Sequence, residues 1–509
     1  MARDGVLLNP PTSAWSVAPD LDEALAASPT DGGASGTVLV AAVGDPAGPG
    51  DAGARAAIGA LGLDAADVLT THEPCTDAGR LTTVPLAPGS RAVRRLVLVG
   101  VAGGSGAEWR TAAAAVGRAT RGRGRVVHAV GGMAADALPA YVEAVVLASW
   151  GSPRFTKDGP TVVTRPAAEA VVAGSADEPS VRRAVTRARA QLLARSLALT
   201  PSNTKNPAWM VRQARAVARS GGLDVTVWEE RALRREGFGG IVAVGQGSAT
   251  PPRFVRLDHE PAGATAATPR VVLVGKGITF DTGGLQVKPV DGMLGMTTDM
   301  SGSAIVLAVL AACRELEVPV RVTGLLALAE NAVGGASYRP SDVLTQYGGR
   351  TVEIGNTDAE GRIVMADALA YADAHLDPTY LVDVATLTGA ARIALGRVAA
   401  PVFATDAGLS DALVAAGATT GETLWPMPLA DTYRQALDSD VADLNHIADG
   451  VGGGAVTAAL FLREFVGERR WAHLDIAGTG RSDVDAGISA KGATGFGTRL
   501  LLRWLEEMA

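Results

Sequence analysis

Cysteine is nearly absent from this chain. Cys75 and Cys313 are the only two in 509 residues, which excludes a disulfide framework and a thiolate zinc site. Aromatic residues make up only 4%. The basic clusters Arg118, Arg121, Arg123 and Arg125, then Arg182, Arg183, Arg187, Arg189 and Arg195, have no aromatics interleaved. With a net charge of −7, this argues against a nucleic-acid platform and reads as solvated edges and the polar face of a helix. Long apolar runs are missing too. The longest clear one, AIVLAVLAAC at 304–313, is half the ~20 residues a membrane span needs. The start, MARDGVLLNPPTSAW, lacks the apolar stretch of a signal peptide. Together these absences predict a soluble, cytoplasmic protein with no membrane partner.

What is present is globular: 47% hydrophobic and 19% charged residues. The length exceeds one ordinary core and predicts two domains. The first third alternates strand-like stretches (36–44, 94–102, 125–132) with helix-like ones (108–121, 137–150). Such alternation predicts an α/β domain. Residues 178–199 read as one amphipathic helix, followed by the turn-rich TPSNTKNP at 200–207. The expected division is an N-terminal α/β domain over 1–177, a linking helix and turn over 178–207, and a larger α/β domain over 208–509. The latter repeats the rhythm, with strands at 271–277, 320–330, 380–390 and 473–478 and helices at 301–317, 363–375 and 455–466. A mixed, mostly parallel central sheet follows from this pattern.

Chemistry concentrates in two segments. In EIGNTDAEGRIVMADAL (353–369), Asp358, Glu360 and Arg362 stand at every second position with only Ala359 and Gly361 between them. If the strand-like TVEIGN continues extended, the three share one face; a surface charge cluster has the same spacing. In GKGITFDTGGLQVKPVDGMLGMTTDMSG (275–302), Lys276, Asp281, Lys288 and Asp299 follow a buried strand. No phosphate-loop or dinucleotide fingerprint fits. Asp281, Asp299, Asp358 and Glu360 would repel one another unless cations lay between them, and oxygen-rich sets suit Mn²⁺, Mg²⁺ or Zn²⁺. Lys276 could join only as a neutral amine, which adjacent divalent charge would favour; otherwise it is an ion-pair partner. The six histidines lie outside both segments and read as packed or surface imidazoles, with His473 the one that could sit nearer the site.

The two segments resemble the leucyl aminopeptidase family, the PepA-type cytosol aminopeptidases. NTDAEGR (356–362) and GKGITFDTGGLQVKP (275–289) are similar to that family's two site motifs, and further agreement runs from 244 to the last helix. The resemblance implies a two-metal exopeptidase that removes the first residue (Leu, Met or another apolar one) from peptides with a free amino terminus. By position, Lys276, Asp281, Asp299, Asp358 and Glu360 would hold two divalent ions (Mn²⁺ or Zn²⁺, with Mg²⁺ as a third option), with Asp281 and Glu360 bridging. Lys288 would contact the substrate carbonyl, and Arg362 would hold a bicarbonate ion acting as general base. Met296, Thr386, Leu387, Gly389 and Ala477 would line the side-chain pocket. Gly480 stands where some relatives carry a larger residue, implying a roomier pocket. Thr297 and Gly355 also depart from the family's usual residues. A homohexamer is implied as well. Trimming of one dedicated precursor peptide in natural-product maturation is the alternative, and a DNA-binding role or a catalytically dead scaffold are the less favoured ones.

Overall fold

In a computed structural model the described residues are 10–508, apart from 27–35, 45–48, 88–92 and the single positions 130, 132, 135, 158, 163, 175 and 449. Residues 1–9 of the N-terminal reading, and 130 and 132 of the expected strand 125–132, lie outside them. The chain forms two compact units. One comprises residues 10–192 with 484–491, the other residues 193–483 with 492–508. The division falls inside the helix Glu178–Leu199.

The first unit holds a six-stranded sheet in the order Ala14–Ala18, Glu169–Ala173, Arg125–Ala129, Thr37–Val43, Val93–Gly100, Leu81–Pro85. All its pairings are parallel except the last. Thr37–Val43 is buried along its whole length, as a parallel strand covered on both faces must be. The helix Gly106–Ala119 begins at a capping box, in which Ser105 and Glu108 each accept the other's backbone N–H, so two otherwise orphaned donors are satisfied.

The second unit is built on an eight-stranded mixed sheet. Its middle runs Trp471–Asp475, Tyr380–Ala385, Arg270–Asp281, Arg321–Asn331, all mutually parallel. Antiparallel pairings attach Arg253–His259 and then Asp224–Glu229 on one side and Ala400–Ala404 on the other, where Leu424–Pro426 completes the edge by a parallel pairing. In open parallel sheets, sites form at the carboxyl ends of the strands, and here those ends carry Asp281, Asn331, Ala385 and Asp475. The stretch Val290–Cys313 is long and apolar enough to cross a membrane by composition, but 83% of that window is buried. Its longest helix, Ser301–Cys313, packs on the central strand so tightly that a Cβ on Gly302 would lie 2.7 Å from the Lys276 backbone nitrogen. It is a core helix.

The extended reading of 358–362 is overturned. The strand near it is short, Thr351–Glu353, and belongs to a separate three-stranded sheet. Glu360 instead opens the helix Glu360–Leu376. The apolar residues after it recur at helical spacing, and helix starts favour an acidic first turn. At 3.6 residues per turn, Glu360 and Arg362 point about 200° apart, so they cannot share a face.

Candidate metal centre

Lys276 and Asp281 are five residues apart on one strand. Regular alternation would send them to opposite sides. Pairing with the neighbouring strand shows how this is avoided. Ile278 pairs with Ala329, but Asp281 pairs with Asn331, so one extra residue is accommodated between them. Such a bulge re-aims side chains, and here it turns Asp281 toward the cluster that Lys276 also enters. Asn331 then fixes Asp281. Its amide nitrogen donates to Oδ1 at 2.8 Å, and the Gly283 N–H donates to the same oxygen at 2.9 Å.

Two lysines tie four carboxylates together. Lys276 Nζ lies 2.9 Å from Asp299 Oδ2 and 2.8 Å from Glu360 Oε1, and donates to the Thr386 carbonyl at 3.1 Å. Lys288 Nζ lies 2.7 Å from Asp281 Oδ2 and also donates to Asp358. One oxygen each of Asp281, Asp358 and Glu360 falls within 4.8 Å of the others. The sequence-predicted residues Lys276, Asp281, Lys288, Asp299, Asp358 and Glu360 therefore converge, although they come from a strand, two loops and a helix start.

Burial sets the electrostatics. It pushes Glu360 up to about 8 and Asp299 up to about 6, in both cases against the pull of Lys276. Asp358 is raised as well, burial again outweighing its bond from Lys288. For Lys276, burial favours the neutral amine, yet Asp299, Glu360 and Asp281 hold it above its ordinary value. In that form it is an ammonium ion-pair partner with no lone pair to donate. Four carboxylates against two ammonium groups leave the cluster formally negative, and Asp299 Oδ2 and Glu360 Oε1 are buried with the Lys276 ammonium as their shared ion-pair partner. A negative, oxygen-rich pocket suits hard or borderline divalent cations. The residues present fit a metal site.

Arg362 lies to one side. Its Nη1 donates to the His446 carbonyl at 2.7 Å, and burial lowers its pKa to about 10 while Glu360 supports its charge. His446 itself is a packed imidazole, with ring nitrogens 2.9 Å from the Asn356 carbonyl and 3.1 Å from that of Glu353. His473 is packed too, 2.5 Å from Asp383 and fully buried.

Two of the expected pocket residues, Leu387 and Ala477, bond a carboxylate that the sequence reading did not single out. Asp475 accepts the Leu387 N–H at 3.0 Å, the Ala477 N–H at 3.1 Å, and both the N–H and the hydroxyl of Thr388. Thr386 Oγ1 donates to Asp299 Oδ1 at 2.8 Å. Met296 begins the one-turn 3₁₀ segment that leads into Asp299, and Gly389 begins the helix Gly389–Leu395. A Cβ at Gly480 would meet the Ile476 carbonyl oxygen at 2.8 Å. That glycine answers a close backbone approach, and the expectation of a roomier pocket gains no support from it.

Supporting residues were also missed. Thr357 and Gln286 exchange two bonds: the Thr357 N–H to Gln286 Oε1 at 2.7 Å, and the Gln286 N–H to Thr357 Oγ1 at 2.9 Å. Tyr338 donates to the Thr357 carbonyl at 2.8 Å. A polar residue inside each site segment was the available signal for Gln286 and Thr357. Nothing local marks Tyr338.

Comparison with known proteins identifies the family. A family model described as the cytosol aminopeptidase family, catalytic domain, matches residues 192–502. A probable cytosol aminopeptidase of Desulfovibrio desulfuricans is 48% identical over 328 residues, which cover 64% of this chain and 65% of that relative. One from Micrococcus luteus is 43% identical over 438 residues, 81% of this chain and 85% of the relative. Thus the chain spans just under two thirds of the first relative's length. Among solved structures, the bottromycin maturation enzyme BotP in complex with Mn superposes with a TM-score of 0.80 at 34% identity, covering 93% of this chain and 99% of that one.

Proposed function

We propose that this chain, which belongs to the cytosol aminopeptidase family, is a cytoplasmic metal-dependent aminopeptidase that hydrolyses the first residue from peptides with a free amino terminus. The observation that carries the reading is the convergence of Asp281, Asp358 and Glu360 within 4.8 Å, with Lys276 between Glu360 and Asp299. Asp281, Asp299, Asp358, Glu360 and the Lys276 amine are the groups we assign to two divalent cations, Mn²⁺ or Zn²⁺ or, as a third option, Mg²⁺. When bound, such a pair supplies an activated water and a Lewis acid for the scissile carbonyl.

The chain's own residues do the rest. Lys276 must release its proton to offer a lone pair, which a nearby divalent charge favours. Lys288, which lies on Asp281 and Asp358, would meet the oxygen on which negative charge develops, where preorganised positive charge is most effective. Arg362 presents a planar fork suited to a bicarbonate anion, and His446 holds that fork by its carbonyl. Asp475 stiffens the backbone of Leu387, Thr388 and Ala477; Leu387 and Ala477, with Met296, Thr386 and Gly389, would receive the first side chain. A homohexamer is part of the proposal by family likeness.

The test is hydrolysis of Leu-, Met- and N-blocked substrates by metal-stripped protein with Mn²⁺, Zn²⁺ or Mg²⁺ added back. Activity should return with metal, and only on unblocked substrates. Equal cleavage of the blocked substrate would remove the exopeptidase reading. A second reading is favoured by the likeness to BotP over nearly the whole of both chains: trimming of one dedicated precursor peptide in natural-product maturation. Broad turnover of short Leu- and Met-peptides supports general peptide turnover, whereas activity confined to one longer peptide supports the dedicated role.

A further inference from the structure

Lys205 is the most buried described lysine, with no accessible surface. No carboxylate lies within ion-pairing distance of it among the described residues. Its ammonium donates instead to two carbonyls: Ala198, at 2.8 Å, and Thr297. Ala198 belongs to the last turn of the helix Glu178–Leu199, where carbonyls are unsatisfied and the helix dipole favours a cation. Thr297 belongs to the turn Met296–Thr298, and Asp299 follows directly. A neutral side chain could fill this space without the cost of burying a charge. The burial is felt, since it pulls Lys205 down to about 7, while the charge of Asp299 opposes it. The same loop also grips the central strand: Ser202 Oγ donates to the Thr279 carbonyl at 2.8 Å, two residues before Asp281.

We propose that Lys205 is a positioning residue: by holding the carbonyls of Ala198 and Thr297 together, it fixes the Met296–Thr298 turn and so the aim of the Asp299 carboxylate as a ligand for a divalent cation. This rests on the metal-centre reading above. Asp299 is otherwise steered by Lys276 and by Thr386 Oγ1, which reaches both its Oδ1 and its backbone carbonyl, while Ser301 Oγ donates to the Thr298 carbonyl at 2.6 Å. Lys205 adds the link that ties the Thr297 carbonyl to the helix end at Ala198.

The experiment is titration of metal-stripped full-length protein with Mn²⁺, followed by calorimetry, for wild type, Lys205→Met and Lys205→Gln. Wild type should take up two equivalents. In the folded variants one equivalent should weaken about tenfold or more, as losses behind a metal ligand do, while the other keeps wild-type affinity. Turnover should recover at saturating Mn²⁺ with KM unchanged. Wild-type affinity for both equivalents in folded Lys205→Met would overturn the inference and leave the metal reading intact. No Mn²⁺ uptake by wild type would overturn both. If neither variant folds, hydrogen exchange on wild type decides: Mn²⁺ should slow the amides of 198–207 together with those of 296–304, and slowing confined to 296–304 overturns the coupling.

Discussion

Gly361 makes room for Lys276. A Cβ at position 361 would lie 2.6 Å from Lys276 Cε and 2.7 Å from Nζ, so any larger residue there displaces the amine from Asp299 and Glu360. Gly361→Ala is therefore expected to weaken metal binding and reduce kcat/KM by about 10²-fold, the scale of a lost ligand's surroundings. The metal-free protein should not suffer comparably, because alanine is preferred over glycine in a helix by up to ~1 kcal/mol. Thermal melts with and without Mn²⁺ check this. A variant that keeps metal and activity would show that Lys276 has another route into the cluster.

Lys288 bridges Asp281 and Asp358, yet its proposed task lies with the substrate. Lys288→Ala should keep metal and lose turnover by ~10²-fold or more, as removal of an oxyanion-stabilising donor does. Lys288→Arg should not restore the rate, since a planar fork differs from a point charge. Metal content by elemental analysis, read beside kcat, separates the two functions. Loss of metal along with the rate would recast Lys288 as a structural partner of the carboxylates.

Burial pushes the Glu360 carboxyl up to about 8. Glu360→Gln keeps its shape and removes its charge. Metal and activity should disappear together. Divalent metal should also stabilise wild type but not this variant: ligand at a hundred times its Kd is worth about 2.7 kcal/mol. An equal Mn²⁺-induced rise in Tm for both proteins would place the cations elsewhere.

The parallel core was legible because its strands are continuous apolar runs, and the helix Glu178–Leu199 was read with the same bounds the structure gives. The lysines and acids of the centre were legible as residue types. Their geometry was not. Alternation misled at 358–362, where helix spacing in the following residues outweighed a two-residue period. The bulge between Ile278 and Asp281 has no local sequence mark, since its cause is pairing with a strand fifty residues away. Asp475 and Asn331 act through backbone amides and a side-chain amide brought in by the sheet order, and that order is a long-range property. The use of Gly361, which leaves room for the Lys276 side chain, was likewise set by a partner distant in the chain.

The first unit carries a separate acid sensitivity. His128 stacks on Trp15, 5.4 Å between ring centroids, and its Nδ1 lies 3.0 Å from the Tyr141 hydroxyl. Complete burial lowers it from an ordinary 6.5 to about 3. Between those values the unfolded chain binds a proton that the folded one refuses, so stability is full above about pH 6.5 and drains away as pH falls toward 3. At 1.36 kcal/mol per pKa unit, the swing is on the order of a few kcal/mol. His128→Gln keeps an acceptor for Tyr141 and removes the titration. It should be less stable at neutral pH, having lost the stack, by ~1–2 kcal/mol. Its stability should then fall less steeply on acidification than that of wild type, and the two curves should converge. Urea unfolding followed by tryptophan fluorescence at several values between pH 7 and 4 measures both slopes. Parallel curves would mean that His128 already accepts its proton in the folded unit, against the burial that the Trp15 stack and the Tyr141 bond impose.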